Sequence, residues 1–460
     1  MIPLLVPIAA GAWLAVALQG APAQPAAPPN DPTVEKQVDA IAAQVLAQPG
    51  GVGLSIGVAR KGKLLLAKGY GLADAEFDVP ANAETLFRIG SVTKQFTAAA
   101  ILLLVEQKKL SLDDTLDKLL PDFPTPGHTV TLRQLLNHTS GIPSYTEAGD
   151  EWVAKWPIEL SDAELLALSE GKPFDFEPGQ GWKYNNTGYY LLGMILAKEG
   201  GTTYGEHLER VLFEPLHLQR TCYDSNHALI KNRAQGYAFE DGHLANDIYL
   251  GMRQPGGAGG LLSTGGELVR WEMALTSGKV VSPESFALMT TPTVLPSGKD
   301  TGYGFGLVMD EFEGRRRIQH EGGIFGFNSI LLWLPDDDVH VAVISNGEEI
   351  VSGKIADAIT CAVLGIERAP VKDDPTTPEL RARLAGTYHL EDTPMDARVF
   401  EEGDRLECQP TGQPAFGLKW QGGDEFRADF DDSVRIVFDA DANGFTLHQG
   451  GGKVHAGRVP

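Results

Sequence analysis

The 460-residue sequence has only three cysteines, Cys222, Cys361 and Cys408, and no C-x-x-C pair. Spaced so widely, they allow at most one disulfide and do not form a disulfide framework. No H-E-x-x-H occurs among the 11 histidines, so no recognisable zinc signature is present. Positive charge is scarce: 38 Lys and Arg stand against 61 Asp and Glu, a formal charge of −23. No basic block reverses this locally, which argues against any nucleic-acid partner. There is no repeat of solenoid period. The glycine-rich run 256–266 lacks G-K-[ST], so it reads as a tight loop of a helical lobe rather than a phosphate loop.

What remains is ordinary folded-protein composition, 43% hydrophobic and 22% charged, in a chain too long for one core. Residues 2–18 are apolar, interrupted by Pro3 and Pro7, and Ala21-Pro22-Ala23 follows as a cleavage-like site. Residues 1–23 therefore read as a secretory signal, and the expected location is secreted or periplasmic. No Lys or Arg precedes Lys36, so the usual positive start is missing. Uncleaved, the segment would be a short anchor, the one membrane association the sequence offers.

Val34, Val38, Ile41 and Val45 recur at helical spacing. Residues 54–59 and 64–67 flank Arg60-Lys61-Gly62-Lys63 as a hairpin, and residues 328–334 and 339–345 flank Pro335-Asp336-Asp337-Asp338 as another. A helix is expected over about 351–364. The expected fold is α+β: one antiparallel sheet built from both ends of residues 24–368, flanked by helices, with a helical lobe inserted. Residues 369–378 read as a Pro-rich linker. Residues 379–460 alternate short apolar runs with turns such as Asn443-Gly444, the texture of a small all-β, barrel-like domain.

Three short motifs could carry chemistry. Ser91-Val92-Thr93-Lys94 precedes a helical pattern through Phe96, Ala99, Ala100 and Leu103. One turn apart, Ser91 and Lys94 share a face at a helix start, where an amine can take the hydroxyl proton. A plain helix cap would explain Ser91 alone. A second S-x-x-K, Ser169 to Lys172, is a poor helix start because of Gly171 and Pro173. Tyr184-Asn185-Asn186 follows a turn and precedes an apolar helix, so Tyr184 and Asn186 can face one cleft. His320-Glu321-Gly322-Gly323 ends the strand-like 317–319, where backbone N–H groups can meet a carbonyl oxygen and glycines let it approach. His448 and His455 share the H-x-G spacing but lie in the C-terminal module.

In this order, Ser91-x-x-Lys94, Tyr184-x-Asn186 and His320-x-Gly322 resemble the serine β-lactamase and penicillin-binding protein superfamily. The Tyr of the second motif resembles its class C β-lactamase, D-Ala-D-Ala carboxypeptidase, D-aminopeptidase and esterase branch. Residues 135–142, 259–264 and 303–306 agree, and the likeness spans about 31–365. The C-terminal module is similar to the lipocalin-like domains of some members. The resemblance implies Ser91 as nucleophile and Lys94 and Tyr184 sharing the proton work, with the base left open. It implies Asn186 on the substrate amide and an oxyanion hole from the N–H groups of Ser91 and Gly323, with Gly322 alongside. No cofactor or metal is required. The implied function is an exported hydrolase cleaving a small-molecule or peptide amide or ester through an acyl-enzyme. Alternatives are a class C-like β-lactamase and a penicillin-binding sensor with little turnover. Efficient β-lactamases of this superfamily carry Lys at the start of the third motif; His320 is expected to be a weaker, pH-dependent cation. His138, in the 135–142 stretch, is read as structural, since Ser91 already has Lys94.

Overall fold

A computed structural model describes residues 30–459 except 369, 370, 392, 394, 431–433, 450 and 451. The expected signal segment lies outside the described residues. The helix Pro32–Leu46 begins at Asp31, whose carboxylate accepts the N–H groups of Thr33 and Val34. Such a cap contributes about 1 kcal/mol. Its buried stripe, Val34, Val38, Ala42 and Val45, lies on a seven-stranded antiparallel sheet. In spatial order the strands are Val79–Pro80, Lys63–Asp74, Gly53–Arg60, Val339–Ser345, Phe327–Leu334, Arg315–Ile324 and Val308–Phe312.

The two hairpins legible in the sequence thus lie side by side, with Leu54 opposite Ser345 and Arg60 opposite Val339. These two central strands are buried along nearly their whole length, because helices cover both faces of the sheet. Alternation divides the side chains between two cores. Ile330, Leu332 and Leu334 pack with Pro32–Leu46 and the helix Ser352–Leu364. Leu331, Ala342 and Ile344 join the larger core that contains the helices Thr93–Glu106, Asn186–Gly200 and Gly265–Thr276.

Three sequence expectations are corrected. The His320 motif does not end its strand: Arg315–Ile324 continues through Gly322 and Gly323, paired with Ser329 and Asn328. The missing side chains of those glycines weaken the strand pattern although the backbone pairing is unbroken. The 256–266 run is not one loop. It forms a helical turn, Gly256–Gly259, a buried strand, Leu261–Ser263, and the start of the helix Gly265–Thr276. Its glycines serve close packing, since a Cβ at Gly257 would come within 2.6 Å of the Tyr189 carbonyl oxygen. The C-terminal module is not all β: it opens with the helix Pro378–Leu384, capped by Thr377.

Eight strands then close into a barrel, the first, Gly386–Leu390, pairing with the last, Gly452–Arg458. Tyr388, Phe426, Phe438 and Phe445 fill it, and Leu384 from the helix enters the same core. The Tyr388 hydroxyl donates to the Leu384 carbonyl at 2.7 Å, tying helix to barrel. Among the described residues, this core shares no member with the other two. A chain ending at residue 370 is therefore expected to melt cooperatively and to hydrolyse a short-chain ester within about three-fold of the full chain, as separate cores allow. An insoluble or inactive truncation would show that the barrel completes the fold or the cleft.

Candidate active site

Ser91 sits in a single 3₁₀ turn, Gly90–Val92, that leads into the buried helix Thr93–Glu106. Gly90 has φ +46°, and a Cβ there would lie 2.9 Å from the Gly323 nitrogen. A Cβ at Gly322 would meet the Ile89 carbonyl oxygen at 2.1 Å and the Ser91 nitrogen at 3.0 Å. Only bare backbones fit this close. The contact brings Ser91 and the Gly322-Gly323 strand together, and the space around Gly323 is open. Ser329 braces the junction, its hydroxyl donating to the Ile89 carbonyl at 2.8 Å.

Lys94 is fully buried, with Nζ 3.0 Å from Ser91 Oγ, 2.8 Å from Asn186 Oδ1 and 2.8 Å from the Ala258 carbonyl oxygen. Burial without a carboxylate partner holds the amine well below the ordinary lysine range. The Tyr184 ring centroid is 4.6 Å from Nζ. Burial pushes the Tyr184 phenol upward, and a hydrogen bond with Ser91 opposes the rise without cancelling it. Asn186 is the first residue of the helix Asn186–Gly200, which Asn185 caps through Gly188 N–H. Its N–H donates to Ser144 Oγ and its Nδ2 to Thr146 Oγ1, both at 3.3 Å.

His320 is 4% exposed. Nδ1 lies 2.6 Å from the Glu321 carbonyl oxygen, which can only accept, so Nδ1 carries the proton. Nε2 is then the acceptor for the Tyr303 hydroxyl at 3.1 Å. Burial, followed by the nearby Lys94, lowers its pKa to about 3. The expectation of a pH-dependent cation is corrected: desolvation keeps this imidazole neutral through the physiological range.

The structure thus brings Ser91, Lys94, Tyr184 and Asn186 into one group, with His320, Gly322 and Gly323 on the facing strand. It separates the decoys. Ser169 Oγ donates to the Leu166 carbonyl, while Lys172 pairs with Glu151 at 3.9 Å. His455 pairs with Glu391 and Asp439 on the barrel. Sequence reasoning missed the Ala258 carbonyl, Ser144, Thr146 and Tyr303 as site residues. Tyr303 stood in a stretch noted for resemblance alone, and a backbone carbonyl has no residue-type signal.

His138 takes no part in a triad but holds Tyr184 from both sides. Its carbonyl accepts Lys183 N–H and its Nδ1 accepts Asn185 N–H, both at 3.1 Å. Its ring packs tilted against Tyr184 with centroids 4.5 Å apart, and its backbone carries φ +63°, uncommon outside glycine. His138→Ala is expected to lower kcat by about 10- to 100-fold with KM within about three-fold, because small misplacements of a reacting group cost this much. His138→Asn keeps an acceptor and tolerates positive φ, and should recover most of the loss. Equal kcat for the two variants would refute the clamp.

Residues 38–360 match the family model described as Beta-lactamase. The chain belongs to the Beta-lactamase family. Its relatives include penicillin-binding protein 4* of Bacillus subtilis, 30% identical over 384 residues, covering 77% of this chain and 83% of that protein. The D-aminopeptidase of Gluconobacter oxydans is 28% identical over 76% of this chain and 65% of its own length. Among solved structures, the D-amino acid amidase of Ochrobactrum anthropi superposes with a TM-score of 0.63 at 26% identity, covering 72% of this chain and 99% of that one. Like these family members, the chain is a serine hydrolase of β-lactamase fold.

Proposed function

We propose that the protein is an exported hydrolase that cleaves amides or esters, of the D-amino acid amide and short peptide kind, through an acyl-enzyme at Ser91. One observation carries the reading: a buried Lys94 amine, held below its ordinary range, touching the Ser91 hydroxyl. A neutral amine has two N–H groups and one lone pair. Asn186 Oδ1 and the Ala258 carbonyl take the two N–H groups, which leaves the lone pair for the Ser91 proton. The raised Tyr184 phenol stays protonated, so Lys94 is the base and Tyr184 the relay.

Ser91 Oγ attacks the carbonyl carbon as its proton passes to Lys94. The oxyanion forms against the N–H groups of Ser91 and Gly323, a kind of contact worth about 10²- to 10³-fold per donor. The proton then travels by Tyr184 to the leaving nitrogen or oxygen. Water, giving its proton back along the same route, attacks the acyl-enzyme and restores Ser91. The D-aminopeptidase and D-amino acid amidase relatives support the substrate class. Export rests on the apolar residues 2–18 and the Ala-Pro-Ala site.

Turnover of a D-Ala-D-Ala peptide, a D-amino acid amide, a short-chain ester and nitrocefin tests the proposal. The amide and ester should be hydrolysed with Ser91 dependence and nitrocefin poorly. A penicillin adduct persisting for hours with no hydrolysis of any of the four would favour a sensor.

His320 supplies a second test. The ratio of kcat/KM for nitrocefin to that for a neutral ester is expected to show no inflection near pH 6.5 between pH 5.5 and 8.5, since the imidazole stays neutral. His320→Lys should raise that ratio by about ten-fold, or about 1.4 kcal/mol, within the range of Coulomb attraction for a carboxylate near a surface cleft. A ratio that climbs as pH falls through 6.5 in the native enzyme would show His320 to be a cation after all.

A further inference from the structure

The contacts around Ser91 form a closed ring. From Ser91 they run through Lys94 to Asn186, and from Asn186 to Ser144 and Thr146. Tyr145, between those two, meets Trp152 edge-to-face at 5.8 Å, Trp152 meets Trp156 edge-to-face at 5.5 Å, and Trp156 packs tilted against Phe325 at 4.6 Å. Phe325 lies two residues beyond Gly323, whose backbone packs on Gly90 and returns the ring to Ser91. An aromatic run therefore bridges the helical lobe and the tip of the Gly323 hairpin.

The two sides of the ring differ in chemistry. Tyr184, the proton relay, stands with Tyr303 and His320 on one side, so the leaving group departs there. The aromatic run lies on the Asn186 side, which is the side of the acyl group. Its outer members Trp152, Trp156 and Phe325 are half-buried, so part of each side chain remains accessible.

The wall is also held rigidly. Gln254, 1% exposed, accepts Trp152 Nε1–H at 3.0 Å and donates to the carbonyls of Lys155, Trp156 and Ile158. Its own carbonyl accepts the Tyr145 hydroxyl at 2.8 Å. Gln254 lies four residues before Ala258, so one short segment orients both the aromatic wall and Lys94. A rigid aromatic surface binds at low entropic cost, and planar rings pack on it edge-on or offset.

We propose that Trp156 and Phe325 are specificity residues that select substrates whose acyl group carries an uncharged aromatic ring beside the scissile carbonyl. This deepens the function proposed above and rests on it. An acyl ring would extend the Trp152–Trp156–Phe325 run by an edge-to-face or tilted contact, whereas a small acyl group leaves that surface to water. Burying an aromatic ring at such a site is worth roughly ten-fold or more in kcat/KM.

The test compares p-nitrophenyl phenylacetate with p-nitrophenyl acetate, which share a leaving group and differ only on the acyl side. Each rate is corrected for the ester's alkaline hydrolysis. The native enzyme is expected to prefer the phenylacetyl ester by ten-fold or more. Trp156→Ala and Phe325→Ala should each reduce that preference below about three-fold, mainly through the KM of the phenylacetyl ester. Phe77→Ala, which removes a 77%-exposed ring outside the aromatic run, should leave it unchanged. A native preference near one, or one that survives both wall variants, overturns the assignment. Ser91 labelling by a fluorophosphonate separates the two levels. Labelling and ester turnover without acyl preference sink this inference alone, whereas no Ser91-dependent turnover sinks the function on which it rests.

Discussion

Ser91→Ala is expected to lower kcat by about 10⁴-fold or more and to remove covalent labelling by fluorophosphonate or penicillin, as loss of a nucleophile does elsewhere. The residual rate would come from substrate binding and the remaining oxyanion donors. Stability should change by less than about 1 kcal/mol, since one half-buried hydroxyl is lost and Gly90, which shapes the turn, is retained. The pairing of those two results matters, because a collapse of the fold would also abolish turnover. Ser169→Ala should be silent in both assays, its hydroxyl being spent on the Leu166 carbonyl. Labelling that survives in Ser91→Ala and vanishes in Ser169→Ala would reverse the choice of nucleophile.

Lys94→Met is the second large effect and separates function from stability. Turnover should fall by about 10³-fold, the contribution of a positioned base. The stability effect has a definite pH signature. Burial holds the folded-state pKa of Lys94 well below its unfolded value, so unfolding takes up a proton wherever the pH lies between the two. Native stability at this residue is full above the unfolded value and declines as pH falls, by about 1.4 kcal/mol per pH unit. Methionine carries no proton and does not follow that slope. The difference in Tm between variant and native should therefore move in the variant's favour from pH 9.5 to pH 7, whatever its starting sign. Parallel Tm curves would mean that the amine keeps its proton in the folded state, and Tyr184 would then have to act as the base.

Neither pH signature could be written from the sequence. Lysine and histidine letters imply cations, and the reading of His320 as a pH-dependent charge followed from that. Burial reversed it, through Tyr303, 17 residues upstream, and Lys94, more than 200 residues away. His138 is similar. Its place in a stretch resembling the family was plain, but its hold on Lys183 and Asn185 needs a left-handed backbone and a contact spanning 47 residues.

Elsewhere the sequence was sufficient because the forces are local or periodic. Alternation and turn residues specified the two hairpins, and helical spacing specified Pro32–Leu46 and Ser352–Leu364. The change of texture after the Pro-rich stretch marked the barrel, whose filled core bears it out. The helix Pro378–Leu384 escaped because seven residues give too few turns for a period to show. The strand through Gly322 and Gly323 escaped because glycine carries no side-chain pattern, though its backbone pairs regularly.

The sequence by itself determined the two-part architecture, the family likeness and the residue types available for acyl transfer. Each depends on neighbours in the chain or on motif order. Tertiary structure decided the protonation of those residues and what encloses them. Desolvation depends on everything packed around a group, as at Lys94 and His320. The aromatic wall joins Tyr145, Trp152 and Trp156, from the middle of the catalytic region, to Phe325 near its end, and they meet only when the lobe folds onto the sheet.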